Sequence, residues 1–292
     1  MNQAHSAKAL GELVGAVAPS LVAIARGGRG SGVVLAPGRV LVGTHGVRAE
    51  RLAVVRADGD VVPATVIAHD PDRTLALLAT DTGDAAPLAW PDADPTPELG
   101  DAVVAVARPS GRPLHATRGE IAAVGERLRG PRGRLGDPGF VHTAPLPRGA
   151  SGSPLLDADG VLLGFSTARL DGGFLLAQPA TVALRRHLDD LAEGRAGSVR
   201  TLGVAIAHPR AARRLRRAVG LPERDGLLLQ DVVDASAAAA AGLERGDLLV
   251  AAGDAPLTSV DTLLAAIDAT EGDLPLRVVR GADERDVLVR WE

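Results

Sequence analysis

The chain contains no cysteine, which excludes disulfides, thiolate catalysis and cysteine-ligated metal. Aromatic residues make up only 2% of its 292 residues, so its cores must be built from Val, Leu, Ile and Ala. Lys8 is the only lysine among 32 lysines and arginines; with the many alanines and glycines, this reads as GC-rich coding rather than function. The formal net charge of −4 carries no global nucleic-acid signature. No unbroken run of 18 apolar residues occurs, and Glu12 and Pro19 interrupt the most apolar N-terminal stretch, Leu10 to Ala25. Met1 to Lys8 lacks a basic segment leading into an apolar one. The chain as written therefore reads as cytoplasmic, and a trimmed N-terminus would leave a cell-envelope location open. His5, His69, His115, His142, His187 and His208 show no paired ligand spacing, so neither a metal site nor a cofactor is expected.

Hydrophobic residues at 46% suffice for real cores, and the length suits two domains. From Leu21 to about Ser166, apolar runs of four to seven residues alternate with Gly, Pro and Asp. Leu21–Ala25, Gly32–Leu35, Val40–Val42, Ala102–Val106 and Val161–Phe165 are examples, and short strands at this spacing predict an all-β barrel or sandwich. Ala7 to Val17 and Pro179 to Leu191 read as helices flanking that domain. The polar, glycine-bearing stretch from Glu193 to Ser198 predicts a linker over 193–200, after a first domain of 1–192. Residues 201–292 mix strands with helices at Ala211–Val219, Ala237–Ala241 and Val260–Ala269, a small α+β module. The arginine-rich run from Arg210 to Arg217 has no interleaved aromatics for base stacking and reads as a solvated helix face.

Gly149-Ala150-Ser151-Gly152-Ser153-Pro154 is the segment richest in chemistry. Glycines beside a serine permit a sharp turn that exposes its hydroxyl and gathers amide N–H groups around one point, where an oxyanion could be held. A serine hydroxyl becomes a useful nucleophile when an imidazole accepts its proton. His45, after the strand-like Val40–Val42, lies about a hundred residues upstream, a separation that suits two barrel halves supplying one residue each to a shared cleft. Taken alone, either residue is as readily a loop serine or a structural histidine.

In order, the chain presents Arg29-Gly30-Ser31-Gly32-Val33-Val34, the strand-then-His45 turn, Asp70 through Leu78, Leu99 to Val106, Gly149 to Leu155, and Gly172 to Pro179. Thr201-Leu202-Gly203-Val204 and Ala240 to Leu249 follow. By these motifs it resembles a chymotrypsin-fold serine protease of the HtrA/Deg family with one C-terminal PDZ domain. The resemblance covers Leu13 to Trp291 and implies a mainly β fold, a double barrel followed by an α+β module. It implies serine endopeptidase chemistry of the protein quality-control type, through an acyl-enzyme, on unfolded or C-terminal protein segments. Ser151 is then the nucleophile, His45 the base, and the Gly149 and Ser151 amides the oxyanion hole. A peptide carboxylate would be captured at Leu202, Gly203 and Val204, with Leu263, Leu264 and Ile267 lining its pocket.

The sequence departs from the family pattern where the triad acid belongs. The family has Thr-Asp-Leu-Ala-Leu-Leu; here Arg73-Thr74-Leu75-Ala76-Leu77-Leu78 places Thr74 in the aspartate's position. Asp72 is the nearest substitute acid, with Asp70 behind it. Gly46, after His45, is expected to loosen that turn, and Pro145 and Pro147 to stiffen the wall before Ser151. A catalytically impaired pseudoprotease, acting as a peptide-binding or chaperone-like module, is the alternative. The resemblance also implies a homotrimer built through N-terminal aromatics, yet no aromatic precedes Trp90, which argues against it.

Overall fold

The computed structural model describes residues 3–130, 136–195, 200–207, 209–218, 220–221 and 224–291. Residues 196–199 of the expected linker, and His208, lie outside them. The chain divides into two compact units, the larger holding residues up to 197 apart from 132–134. That unit opens with α1 (Gln3–Val17), four residues earlier than the periodicity suggests, since nothing before Gly11 breaks a helix.

Two closed six-stranded barrels follow. The first comprises β1 (Leu21–Arg26), β2 (Ser31–Ala36), β3 (Arg39–Gly43), β4 (Arg51–Val55), β5 (Val61–Asp70) and β6 (Leu75–Thr80), ordered β1-β2-β3-β6-β5-β4. The second comprises β7 (Ala102–Ala107), β8 (His115–Glu126), β9 (Gly139–His142), β10 (Pro154–Leu156), β11 (Leu162–Arg169) and β12 (Leu175–Pro179), ordered β10-β11-β12-β9-β8-β7. Neighbouring strands pair antiparallel throughout, for example Val42 with Ala76 and Leu155 with Ala105.

The apolar runs are continuous because many of these strands are buried on both faces. Side chains alternate across a strand. Val22, Ile24, Val34, Val40, Val42, Ala76 and Leu78 fill the first barrel. Their alternates Leu21, Val33, Leu41, Leu75 and Leu77 face a second core, shared with Val104, Val106, Leu156, Leu162 and Phe165. Val103, Ala105, Phe140, Leu155, Leu163 and Ala177 fill the second barrel. The shared core couples the barrels, and α2 (Val182–Ala192) packs Leu184 and Leu188 into it. Thr181 caps α2, its hydroxyl accepting from Leu184 N–H at 3.0 Å. Two of the five aromatics sit here, with the Trp90 and Phe165 rings 5.5 Å apart.

The smaller unit is α+β. Its sheet runs β13 (Val204–Ile206), β14 (Leu227–Val232), β15 (Leu248–Ala252), β17 (Leu274–Arg280) and β18 (Asp283–Val289). The short β16 (Ala255–Pro256) pairs with β15. Helices α3 (Pro209–Ala218), α4 (Ala237–Ala240) and α5 (Val260–Ala269) accompany the sheet. Ala212 is buried beneath α3, whereas Arg213, Arg214 and Arg217 are exposed. Ser259 caps α5 in a reciprocal capping box with Thr262. Buried Asp247 receives Arg280 at 2.7 and 2.8 Å. Burial would raise that carboxyl; the Arg280 hydrogen bonds and the Glu244 N–H overcome it and hold it below the usual range.

Candidate functional site

Ser151 stands on a turn bracketed by Gly149 at φ +86° and Gly152 at φ +92°, a left-handed backbone that favours glycine. Strand β11 grips the turn at two points. Gly152 N–H donates to Ser166 O at 2.8 Å, and Ser166 N–H donates to Ser153 O at 2.9 Å. Ser153 Oγ closes the loop on Ala150 O at 2.6 Å. Among the described residues, no acceptor takes the Gly149 or Ser151 amide N–H, so the turn keeps two donors free beside its hydroxyl. Ser151 Oγ itself donates to Thr167 O at 2.8 Å.

The turn is seated against the first barrel. A Cβ at Gly43, the last residue of β3, would overlap Ser151 Oγ. A Cβ at Gly152 would lie 2.7 Å from Gly43 N and from Ser31 O. Glycine at both positions thus lets the serine turn close on the strand that leads to His45.

His45 occupies the short 3-10 turn Thr44–Gly46 directly after β3. The backbone of this turn is well fixed: Thr44 N–H donates to Thr74 O at 2.9 Å, Val47 N–H to Thr44 O at 3.0 Å, and Arg29 N–H to Gly46 O at 2.8 Å. Gly46 does the reverse of the loosening expected of it. It is buried, and a Cβ there would overlap Arg29 O, so its bareness lets the β1–β2 loop clamp the turn. The imidazole, in contrast, is exposed and makes no hydrogen bond or ion pair among the described residues, with Ser151 or with any carboxylate.

Thr74 lies beneath this turn through the Thr44 N–H bond. Its φ of +57° is costly for a β-branched residue, and its Oγ1 is buried with no hydrogen-bond partner. The two nearby aspartates are engaged elsewhere. Buried Asp70 accepts from Arg73 Nη1 at 2.9 Å, Arg73 N–H at 3.1 Å and His187 Nε2 at 2.7 Å. Burial would raise the Asp70 carboxyl, but the Arg73 guanidinium and these hydrogen bonds hold it below the usual carboxylate range. Arg73 also reaches Asp137 at 2.7 Å. Asp72 turns toward Gly130, where a Cβ would stand 2.5 Å from its Oδ1. Neither aspartate hydrogen-bonds His45.

The wall leading to Ser151 buries Ala144 and Leu146, and Arg169 Nη2 reaches across from β11 to Leu146 O at 2.7 Å. Sequence reasoning passed over a third residue, His142 on β9. It is fully buried, with Nε2 3.0 Å from Ser166 Oγ. Burial pushes its pKa down to about 4. One histidine inside an apolar strand carries no pattern that would single it out.

In the smaller unit, Gly203 adopts φ +77° with a Cβ position that Ser236 occupies. Leu202 O and Gly203 O accept from Ala238 N–H at 2.9 Å and Val233 N–H at 2.8 Å. Leu202, Leu263 and Ile267, expected around a peptide site, are buried within the apolar core of this unit. Val204, Ile206 and Leu264 are the half-buried side chains beside them. Among the described residues no group of three metal-ligating side chains occurs, and no helix is long and apolar enough to cross a membrane.

Comparison with known proteins agrees with the two-barrel geometry. Residues 30–165 match the trypsin-like peptidase domain family. The chain is 31% identical over 256 residues to the periplasmic pH-dependent serine endoprotease DegQ of Escherichia coli (strain K12), covering 84% of this chain and 54% of DegQ. It is 26% identical over 266 residues to the serine endoprotease DegS of the same organism, covering 86% and 73% respectively. It spans about half the length of DegQ and of a probable periplasmic DegP-like endoprotease of Chlamydia pneumoniae. Several relatives are periplasmic by name, and the cytoplasmic expectation finds no support among them. In fold, a serine endoprotease from Yersinia pestis matches 96% of both chains at a TM-score of 0.67 and 22% identity. The HtrA-type protease AlgW with a decapeptide matches 96% of this chain and 97% of that one at a TM-score of 0.66 and 21% identity. Residues 30–165, largely within the larger unit, thus match a trypsin-like peptidase domain, and the chain is similar in sequence to serine endoproteases of the Deg type.

Proposed function

We propose that the protein is a serine endopeptidase of the HtrA type with Ser151 as nucleophile, His45 as base and the Gly149 and Ser151 amides as oxyanion hole. One observation carries this reading: the serine turn keeps those two amides free while it is seated on Gly43, two residues before His45. Attack begins when Ser151 Oγ leaves Thr167 O and the exposed imidazole swings over it. His45 then takes the hydroxyl proton, Oγ bonds the scissile carbonyl carbon, and the two N–H groups hold the oxyanion. The same imidazole protonates the leaving amine, and water hydrolyses the acyl-enzyme. Thr74 Oγ1 is the group at the acid position. A hydroxyl can accept from imidazole N–H, but it offers no negative charge to the imidazolium, so turnover is slow.

The smaller unit serves as a PDZ domain in this reading. Its support is β13, which ends the sheet with one edge unpaired, beside a left-handed Gly203 whose N–H, like that of Leu202, meets no acceptor among the described residues. A peptide strand would add along that edge, with its carboxylate at those amides.

A second reading, an impaired protease that retains only peptide binding, is favoured by the missing His45–Ser151 hydrogen bond and by the capture of Asp70. Fluorophosphonate labelling between pH 6 and 9 separates the two. Labelling that disappears in Ser151→Ala supports the endopeptidase; no Ser151-dependent labelling anywhere in that range would leave only peptide binding.

A further inference from the structure

We propose that His142 is a positioning residue that holds the nucleophile turn through Ser166 while neutral and releases it in acid. This rests on the reading of Ser151 as nucleophile. Ser166 is the one residue of β11 that bonds the turn on both sides, through its carbonyl to Gly152 N–H and through its N–H to Ser153 O. The next residue, Thr167, supplies the carbonyl that holds Ser151 Oγ. The Ser166 hydroxyl is tied in turn to His142 Nε2 at 3.0 Å, with both side chains buried. A chain of contacts therefore runs from the second barrel's interior to the reactive hydroxyl without touching it.

The remaining nitrogen of His142 makes this link sensitive to protons. Nδ1 is buried and has no hydrogen-bond partner. An orphaned lone pair costs less than an orphaned N–H, so the favoured neutral form carries its proton on Nε2 and donates to Ser166 Oγ. A second proton has only Nδ1 to occupy, and there it would be a buried donor and a buried charge with no acceptor. Nothing nearby offsets that. In the sheet His142 is flanked by Ile121 of β8 and Leu175 of β12, and its Nε2 meets Ser166 of β11. Burial is the sole cause of its depressed pKa; no charged group on β8, β11 or β12 contributes. Protonation therefore requires the buried side-chain contact between His142 on β9 and Ser166 on β11, the two strands that flank β12, to open locally, which frees Ser166 from His142 and slackens its hold on Gly152 and Ser153.

The test is amide hydrogen exchange of the segment 149–153 in the full chain from pH 7 to 4, with protection referred to intrinsic exchange at each pH. It is run alongside fluorophosphonate labelling at pH 8. In the parent protein, protection of this segment should fall at least tenfold across the range while that of β2 and β3 holds. His142→Gln keeps an N–H donor toward Ser166 and cannot titrate, so its protection should stay level. His142→Leu and Ser166→Ala should be poorly protected at every pH and label at least tenfold more slowly, with Gln recovering most of the lost rate. Parallel loss in the parent and His142→Gln overturns the proposal, as does parent-like protection and labelling in a folded His142→Leu. If His142→Leu does not fold, the Gln comparison still decides. If the parent protein is not labelled at all, the nucleophile assignment falls, while the exchange data still show whether His142 governs the turn.

Discussion

The two barrels contribute unequally to the site. The second delivers a finished turn: a serine between two left-handed glycines, two free amides, and β11 bonded to both sides of the loop. The first delivers a finished backbone and an unfinished side-chain relay. Three backbone hydrogen bonds fix the His45 turn, but the imidazole is exposed, and the residue beneath the turn is Thr74, which carries no charge. What separates the halves is electrostatic rather than architectural. Backbone placement survives the loss of one charged side chain, because it is set by strand register and glycine close approach; orientation of a free imidazole does not.

The largest test of this contrast is Thr74→Asp, read against Thr74→Asn. Asp and Asn both tolerate a positive φ better than a β-branched threonine, so both should relieve backbone strain of roughly 1 kcal/mol, measurable by urea denaturation. Only Asp supplies a charge to the imidazolium. It should raise Ser151-dependent turnover of a peptide substrate by about two to four decades, leaving Asn near the parent. Equal rates for the two variants would place the defect elsewhere than in the missing carboxylate.

The backbone half of the comparison is tested at Gly46→Ala. The new methyl would overlap Arg29 O, and both segments are held by hydrogen bonds, so neither yields freely. The expected cost is ~3 kcal/mol from overpacking, read as a lower urea midpoint at an unchanged slope. Labelling of Ser151 should fall with it. An unchanged midpoint would show that the His45 turn is not clamped.

The acid behaviour of the second barrel comes next in size. Native His142 titrates near 4 and an unfolded histidine near 6.5, so between those values the unfolded chain binds the extra proton. Stability therefore rises with pH across this window and is lost on acidification, by ~3 kcal/mol over the whole interval. Asp70 works in a separate range: its depressed pKa stabilises the fold above about pH 4 and fails only below. His142→Gln should flatten the decline between pH 6.5 and 4 without touching the loss below it. A parent and variant that decline alike would show that the buried imidazole is not its source.

The same division explains what could be read from the sequence. The barrels were legible because strands buried on both faces leave unbroken apolar runs, as in Leu21–Ile24 and Val103–Ala107. Strand β8 is less legible, because it continues through His115–Arg118 and Gly125–Glu126, outside any continuous apolar run. Strand β13 begins only at Val204, since the carbonyls of Leu202 and Gly203 are taken by Ala238 and Val233 rather than by a strand partner. The turns that carry Ser151 and His45 were visible through their glycines. The left-handed backbone of Thr74, the His187 contact that completes the capture of Asp70, and the burial of His142 leave no sequence signal, because residue spacing along the chain specifies neither a single backbone dihedral nor a contact between distant segments.

The smallest expected effect lies on the second-barrel wall beside the proposed nucleophile. Arg169 spans from β11 to Leu146 O at 2.7 Å, across the wall that ends in Ser151. Removing it in Arg169→Ala deletes one part-buried hydrogen bond from an exposed side chain, so stability should fall by ~1 kcal/mol. Fluorophosphonate labelling at pH 8 should stay within twofold of the parent, since Ser151, Gly152 and Ser166 keep all their bonds. The change should appear in selectivity. With the guanidinium gone, peptides bearing Leu or Phe before the scissile bond should gain relative to Ala, by a factor below ten, as expected when a pocket admits a few more methylenes. A selectivity that does not move would mean that Arg169 merely braces the wall, and that the width of this cleft is set by Pro145 and Pro147 instead.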